Sequence, residues 1–487
     1  MTQPQAGPER EDAAPGSPRP EPDVLRGLLL SASYRRILLF SALIGIPISL
    51  IAFWFLVALH QLEHLMWDHV PKTLFGSPVP PWWWPLVLLP IAGLIVGLVV
   101  TRLPGAGGHV PAYGLQPGGA SAKALPGVVI AAAASLPLGA TLGPEAPLIA
   151  LGGGLALLFR NLARGNATSQ NTALLGAAGA GAAIAVVLGN PVIAAVLLME
   201  IIGVGGPRLV AVMLPALLSS GVGSLVFTGF GRWTGLQTGS LRLPLSGRFP
   251  HLDAGDVGWT LVIGVVVGVL VHMIQVGGRF AAGLVRTRPV PFTVLFALGA
   301  GVCAALYTGI TGRTPADVAS SGQTTMVQLA SDPASWGVGA LVAVLALKGI
   351  AYALCLGSLR GGPIFPALFL GAATGVLLAP LPGLGVIPGM AAGMAASAGA
   401  ALRLPVSSVV LVALLLGSIA MTPVVILAAV VAIVTTELLP GAHGAPPPES
   451  GGAGGPRPPP PRPPPPPAGG GGAARGGGGG RRGGGRG

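Results

Sequence analysis

The sequence predicts an all-α polytopic membrane protein, built as two inverted-topology repeats whose helices are broken and tilted. Only 9% of its 487 residues are charged and 52% are hydrophobic, whereas a soluble chain carries about a quarter charged residues. The apolar runs are long and lack the alternation of barrel strands, which favours helices. Several runs are cut in the middle by Gly and Pro, and such breaks at matching places in two halves are typical of transporters.

Residues 1–34 are predicted to form a disordered cytosolic leader. The first 25 residues are polar, acidic and rich in Pro, without the apolar core of a secretory signal. Arg26, Arg35 and Arg36 precede the first apolar run. By the positive-inside rule this arrangement puts the N-terminus in the cytoplasm, and we expect a multi-pass protein of the plasma membrane.

Residues 35–440 are predicted to form one transmembrane pore domain. Apolar runs follow one another closely here, and several reach the roughly 20 residues needed to span a bilayer. The two halves resemble each other, which predicts repeats over about 35–230 and about 255–440.

The resemblance between the halves is clearest where 176–202 is compared with 393–419. In each segment small residues lead to a proline, Pro191 or Pro405, and an aliphatic run follows. Small residues at helix contacts let backbones approach closely in a membrane. We therefore expect tight helix pairs in both halves.

Residues 441–487 are predicted to form a disordered tail of Pro, Gly and Arg. Six Arg and one Glu give this tail a charge of +5, a large part of the chain's net +12. Its arginines suit anionic lipid or nucleic acid, but nothing in the tail stacks or folds. A passive solvated tail is the favoured interpretation, and no nucleic-acid partner is expected.

A lone carboxylate, Glu145, stands between two prolines in the stretch "TLGPEAPLIALGGG". Proline is favoured in the first turn of a helix, so Pro147 and Pro366 are interpreted as helix starts. Helix N-termini carry unpaired N–H groups and a partial positive charge, which favour anions. Two such starts meeting at mid-membrane predict an anion site that needs no positive side chain, because such a charge would hold the anion too tightly to conduct it.

Glu145 is interpreted as a tethered anion that competes with the mobile one and acts as a gate. Protonation or displacement of the carboxylate would open the path. The alternative is a helix-capping Glu without a gating role. Ionisable groups inside a membrane are usually functional, and this favours the gate.

Three loops, taken together and in order, resemble the signature loops of the CLC family of chloride channels and chloride/proton antiporters. Gly143-Pro144-Glu145-Ala146-Pro147 resembles G-[RK]-E-G-P, Gly361-Gly362-Pro363-Ile364-Phe365-Pro366 resembles G-x-F-x-P, and Gly107-Gly108-His109-Val110-Pro111 resembles G-S-G-I-P. The resemblance covers about 35–440 and implies the CLC-type fold. It also implies a homodimer with a separate pore in each subunit.

The resemblance implies which residues carry the function. Glu145 matches the gating glutamate, and the anion-binding positions match backbone groups of Gly143, Pro144, Glu145, Ala146, Ile364, Phe365 and Gly108. Chloride or another small anion, the lipid bilayer and, in antiporters, protons are the implied partners. No cofactor or metal is expected, since the sequence contains no phosphate loop or metal-ligand cluster.

The chain departs from the family pattern at the central anion site. Gly108 replaces the serine of the first loop, no tyrosine lies in the last helix, and Pro363 removes one N–H from the second loop. Each lost hydrogen bond to an anion costs about 1.5–3 kcal/mol, which predicts a weaker central site and a wider inner mouth. His109, Thr435 or Thr436 are candidate replacements, and a solvent-facing or backbone-capping His109 is at least as well supported.

Proton coupling is the second departure. Family antiporters carry an inner glutamate ten residues after the helix-opening proline, and ten after Pro191 is Ile201. Glu200 stands one position earlier, and one residue turns a helical side chain by about 100°. Glu200 and His109 remain candidates for a proton path or for the inner mouth, while "MEII" resembles the channel pattern.

The remaining polar residues of the apolar region are given structural interpretations. Lys348 and Arg403 are expected to reach an interface or to pair with Glu200 or Glu437. Two cysteines, at 303 and 355, are interpreted as small buried hydrophobic residues.

The sequence favours a passive chloride channel gated by Glu145 over a proton-coupled antiporter for chloride or another halide. Ile201, Gly108 and the missing tyrosine support the channel, and broken helices suit both. A scaffold or an intramembrane enzyme is disfavoured, because the sequence contains no nucleophile–base or metal constellation.

Overall fold

A computed structural model describes residues 26–441, except 28, 78, 116–119, 164–168, 204–205, 236–242 and 246–251. The chain divides into two units, residues 1–446 and 447–487, and every described residue belongs to the first. The predicted leader up to residue 25 and the tail from residue 442 onwards lie outside the described residues.

Helices account for nearly all regular structure of the described chain. Those of the first half are α1 (Ala32–His64), α2 (Val70–Phe75), α3 (Trp84–Arg102), α4 (Leu125–Ser135), α5 (Glu145–Leu162), α6 (Ser169–Leu188), α7 (Pro191–Ile202) and α8 (Gly206–Thr234). Those of the second half are α9 (Ala254–Thr287), α10 (Pro289–Thr311), α11 (Gln323–Ser331), α12 (Val338–Ser358), α13 (Ile364–Leu378), α14 (Val386–Leu402), α15 (Pro405–Leu416) and α16 (Thr422–Leu438).

The described helices suit a lipid environment. Seven are long and apolar enough to cross a membrane, and several shorter apolar helices lie between them. Large apolar side chains are exposed on the long helices, for example Met273 and Phe280 of α9. In a membrane these faces contact lipid rather than water, so the predicted all-α polytopic class is confirmed.

The predicted interruptions occur where Gly and Pro cut the apolar runs. Helix α4 ends at Ser135 and α5 begins at Glu145, while α12 ends at Ser358 and α13 begins at Ile364. Shorter breaks separate α6 from α7 and α14 from α15. The two halves therefore place a broken opening before the same succession of three helices.

The prediction that Pro147 and Pro366 begin the helices is wrong by two residues. Helix α5 starts at Glu145 and α13 at Ile364, so each proline is the third helical residue. Proline is still tolerated there, because first-turn N–H groups have no carbonyl partner within the helix. Glu145 consequently belongs to the first turn itself.

Glycines bring the helices behind these openings into backbone contact, as expected from the small residues. Gly152 of α5 faces Gly179 of α6, and a Cβ on either would overlap the carbonyl oxygen of the other. Gly371 of α13 and Gly393 of α14 repeat the arrangement in the second half. This close approach fixes where the two helix starts lie.

Candidate functional site

The two glycine-rich loops that precede α5 and α13 are joined to each other. Gly143 and Gly362 exchange backbone hydrogen bonds: the Gly143 N–H donates to the Gly362 carbonyl at 2.7 Å, and the Gly362 N–H donates to the Gly143 carbonyl at 2.5 Å. This short antiparallel pairing connects the two halves of the chain. Because each loop leads directly into its helix, the starts of α5 and α13 are held side by side.

The Glu145 carboxylate lies at the start of the opposite helix. Its Oε1 accepts hydrogen bonds from the N–H groups of Ile364 at 2.7 Å and Phe365 at 3.1 Å, and the residue is 0% exposed. These N–H groups belong to the first turn of α13. First-turn N–H groups have no carbonyl partners within their helix, and they give the helix start a partial positive charge. The carboxylate therefore occupies a place suited to an anion.

The second carboxylate oxygen, Oε2, has no hydrogen-bond partner among the described residues. A Cβ placed on Gly143 or on Gly362 would overlap this oxygen. Glycine is thus required at residues 143 and 362 while the carboxylate contacts the amides of α13. A buried charged oxygen without a donor is unfavourable by about 1–3 kcal/mol. The hydrogen bonds that stabilise this position of the carboxylate are therefore the two at Oε1.

Two cavities are lined by residues next to Glu145, one by the residue before it in the chain and the other by the residues after it. Pro144 lines a cavity of about 80 Å³ together with Glu63 and His60 of α1. Ala146 and Pro147 line a smaller one of about 10 Å³. Glu145 itself lines neither cavity.

Gly108 and His109 line the smaller cavity, where the sequence analysis expects the central anion. Gly108 has φ +95° and ψ −168°, a conformation essentially restricted to glycine. A Cβ there would also lie 3.2 Å from a methyl group of Val128. The local backbone therefore explains why a serine is absent at this position.

His109 is held by its own loop, through a hydrogen bond between Nε2 and the Gly114 carbonyl. Burial lowers the pKa of His109 to about 4; the Gly114 contact opposes this shift, and the nearby positive charge of Arg360 adds to it. The imidazole is accordingly neutral near pH 7. It contributes no positive charge to the cavity in that range.

Pro363 does not remove a donor that Glu145 uses. It is the residue just before α13, and the two N–H groups that contact the carboxylate follow it. The Pro363 carbonyl accepts a hydrogen bond of 2.7 Å from the hydroxyl of Tyr352, on α12. Tyr352 thus stabilises the second loop through this hydrogen bond.

The hydroxyl groups of Thr435 and Thr436, considered as substitutes for the missing tyrosine, donate to their own helix. Thr435 donates to the Val431 carbonyl at 2.7 Å, and Thr436 donates to the Ala432 and Ile433 carbonyls at 2.8 Å. These contacts are internal to α16. They give neither hydroxyl a part in the paired helix starts.

The Glu200 carboxylate caps a helix of the other half. Its two oxygens accept hydrogen bonds from the N–H groups of Val406 at 2.9 Å and Ser407 at 2.6 Å, in the first turn of α15. Both oxygens are therefore engaged in joining α7 to α15. The arrangement is that of an N-terminal cap supplied by a distant helix.

Lys348 neither reaches an interface nor pairs with Glu200 or Glu437, so that part of the prediction is wrong. It is 0% exposed, and its Nζ donates to the carbonyls of residues 317, 318, 319 and 320 at 3.1–3.4 Å. Arg403 does pair with Glu437, at 3.2 Å. Both cysteines are buried and free, as expected.

Arg360 is a residue of this site that sequence reasoning did not single out. It stands in the second loop, is 4% exposed and lines the smaller cavity beside Gly108 and Ala146. Its Nε and Nη2 donate to the Ala106 carbonyl at 3.3 Å, and its Nη1 donates to the Leu359 carbonyl at 3.1 Å. Its signal in the sequence is a lone cation among glycines inside an apolar region.

Comparison with known proteins gives a family match over most of the chain. A family profile described as "Voltage gated chloride channel" matches residues 92–437. This range contains both glycine-rich loops, Glu145 and the helices that position them.

Two relatives, one from Salmonella and one from Escherichia coli, are both named "Putative ion-transport protein YfeO". The protein from Salmonella schwarzengrund (strain CVM19633) is 26% identical over 355 residues, covering 69% of this chain and 78% of its own. The protein from Escherichia coli O1:K1 / APEC is 28% identical over 347 residues, covering 69% and 77%.

Solved structures with similar folds include two antiporters. A slow cyanobacterial Cl⁻/H⁺ antiporter superposes with a TM-score of 0.66 at 19% identity, covering 83% of this chain and 95% of that chain. A CLC-type fluoride/proton antiporter superposes with a TM-score of 0.61 at 19% identity, covering 82% and 95%. At this level of identity the likeness shows the fold.

Proposed function

Because this chain belongs to the CLC family of voltage-gated chloride channels and their relatives, we propose that it exchanges chloride or another halide against protons across a membrane. Glu145 is the proposed gate, and the backbone amides at the starts of α5 and α13 are the proposed anion ligands. The proposal describes a transporter rather than an enzyme.

One observation carries this proposal: a protonatable group accepts hydrogen bonds at a place suited to an anion. Glu145 Oε1 accepts from the N–H groups of Ile364 and Phe365, and a halide at this place would need the same donors. Carboxylate and halide therefore exclude each other. Proton binding neutralises the carboxylate and weakens its hold on the amides, so that proton and anion occupancy become linked.

Similar proteins support exchange more than passive conduction. Two solved structures with this fold are described as a Cl⁻/H⁺ antiporter and a fluoride/proton antiporter. This direction differs from the channel that the sequence analysis favours. That interpretation rests on Ile201, Gly108 and the missing tyrosine, which concern the central site and the inner path rather than Glu145.

A passive channel is the second candidate, and the Glu200 contacts favour it. Both oxygens of this carboxylate accept from the first-turn amides of α15, so a proton relay through Glu200 would have to break that cap. No other acidic residue lies on α7. Under the exchange proposal, protons therefore reach Glu145 by another route, for example along water.

The organisation inferred from the sequence forms part of the same proposal. We infer a plasma-membrane protein with a cytoplasmic N-terminus, a pore domain over 35–440 flanked by disordered 1–34 and 441–487, and a homodimer with one pore in each subunit. Cross-linking in membranes and protease access to each terminus test these points.

Proton movement driven by an anion gradient decides between the two candidates. The protein is reconstituted into liposomes with a chloride gradient, or in parallel a fluoride gradient, and internal pH is followed with a dye. An exchanger moves protons uphill until an uncoupler is added. Anion flux without proton movement would leave the channel as the better description.

Variants of Glu145 serve as the internal control for this assay. Glu145→Gln cannot be protonated in the same way and is expected to conduct anions without moving protons. Glu437→Gln removes a carboxylate that pairs with Arg403, and it is expected to retain coupling. Coupling that persists in Glu145→Gln would contradict the gate assignment.

A further inference from the structure

We propose that the Arg360 guanidinium binds the transported anion in the smaller cavity beside the start of α5. The proposal rests on the proposed function, because it assigns a further ligand and an anionic substrate class to the same pathway. Arg360 lines this cavity together with Gly108, Ala146 and Gly361. These neighbours come from the loop before α13, from the first turn of α5 and from the segment that precedes α4.

The charge of Arg360 has no carboxylate to balance it among the described residues. The ion pairs of that part of the chain join His64 to Asp68, Arg313 to Asp317, and Arg403 to Glu437. Arg360 is only 4% exposed, so bulk water compensates little for the missing partner. An isolated buried charge is strongly unfavourable, and a small anion in the adjacent cavity would neutralise it.

The guanidinium also has donors to spare. It carries five N–H groups, and three of them donate to the carbonyls of Ala106 and Leu359. Two N–H groups therefore remain without a partner in the described chain. The carbonyl contacts fix the plane of the group, so the free donors are oriented before an anion arrives.

The other surfaces of the cavity suit a single small anion. Ala146 lies in the first turn of α5, where the helix end carries partial positive charge, and His109 is neutral near pH 7. The cavity of about 10 Å³ has room for roughly one water-sized body. A halide fits this description better than a large organic anion.

A full positive charge changes the expected transport behaviour. Helix ends alone, the anion ligands predicted from the sequence, hold an anion loosely enough for rapid passage. A guanidinium in direct contact holds it more tightly and slows its release. Arg360 is therefore consistent with slow exchange rather than fast conduction.

Anion titration of purified protein tests the proposal without depending on flux. Calorimetry with chloride and, separately, fluoride is performed on Glu145→Ala, in which the competing carboxylate is absent. Adding Arg360→Gln to this background is expected to weaken binding at least about tenfold, the effect of losing one or two hydrogen bonds to a charged group. Arg279→Gln, which removes a cation that contacts the Gly441 carbonyl, is expected to leave binding within twofold.

The outcomes separate this proposal from the proposed function. If Glu145→Ala binds neither halide, the anion site itself is wrong and the proposed function fails. If it binds a halide and Arg360→Gln leaves the affinity unchanged, only the role of Arg360 is overturned. Should Arg360→Gln not fold, Arg360→Met decides, because it removes the positive charge and all five donors while keeping an unbranched side chain: an affinity within twofold of Glu145→Ala then overturns the proposal.

Discussion

Under the proposed function, the Glu145 side chain and a mobile anion compete for the same two amides, and the size of this competition can be measured. In the structure, Oε1 accepts from the N–H groups of Ile364 at 2.7 Å and Phe365 at 3.1 Å. Replacing Glu145 with Ala removes the tethered competitor. Halide binding should therefore tighten.

The magnitude follows from the contacts of the two carboxylate oxygens. Hydrogen bonds to charged groups contribute about 1.5–3 kcal/mol each, so the two at Oε1 give roughly 4.5 kcal/mol at the midpoint. Oε2 is buried without a partner, which costs about 2 kcal/mol. The difference of about 2.5 kcal/mol corresponds to a roughly 70-fold gain in affinity when the carboxylate is removed.

Calorimetric titration of chloride into wild-type protein and Glu145→Ala, at the same pH and in the same detergent, measures this gain. Glu437→Ala is the matched control, because it removes a carboxylate that pairs with Arg403 instead; its affinity should equal that of the wild type. A change of less than threefold for Glu145→Ala would refute the competition. The same result would remove the physical basis for coupling protons to anions at this residue.

Three further predictions concern stability and the inner path. Gly108→Ala should lower the unfolding free energy by about 1–3 kcal/mol, because alanine is strained at φ +95° and its Cβ meets Val128; thermal unfolding in detergent measures this. Glu200→Ala should lower the melting temperature by uncapping α15, and unchanged proton transport in this variant would argue against a relay role. Because the pKa of His109 falls from 6.5 to about 4, the unfolded state binds more protons between these values and stability should rise with pH across that window. His109→Gln should reduce the increase of the unfolding free energy with pH. An equal pH dependence in the wild type and the variant would contradict the lowered pKa of His109.

The interrupted helices and the unusual position of Glu145 are predictable from sequence because each depends on local chemistry. Gly and Pro weaken a helix within an apolar run, and the breaks before α5 and α13 occur where the two residue types stand together. Glu145 stands out as a charge that the surroundings do not tolerate unless it has a role. The helix starts themselves are two residues earlier than predicted, because proline fits several first-turn positions.

The partners of the long side chains are not predictable in this way. Lys348 donates to four carbonyls some 30 residues earlier in the chain, and Arg360 reaches the Ala106 carbonyl more than 250 residues away. Such contacts depend on how the helices pack, which periodicity does not specify. The reasoning that singled out Glu145 applies equally to Arg360, a cation in an apolar region.

The paired hydrogen bonds between Gly143 and Gly362 bear on how the permeation pathway opens. They hold the two loops together, and separating the loops would break both hydrogen bonds at once. Under the proposed function, opening is then a rotation of the Glu145 side chain beside a backbone that stays in place. Amide hydrogens at these two glycines should therefore resist exchange with solvent throughout the transport cycle.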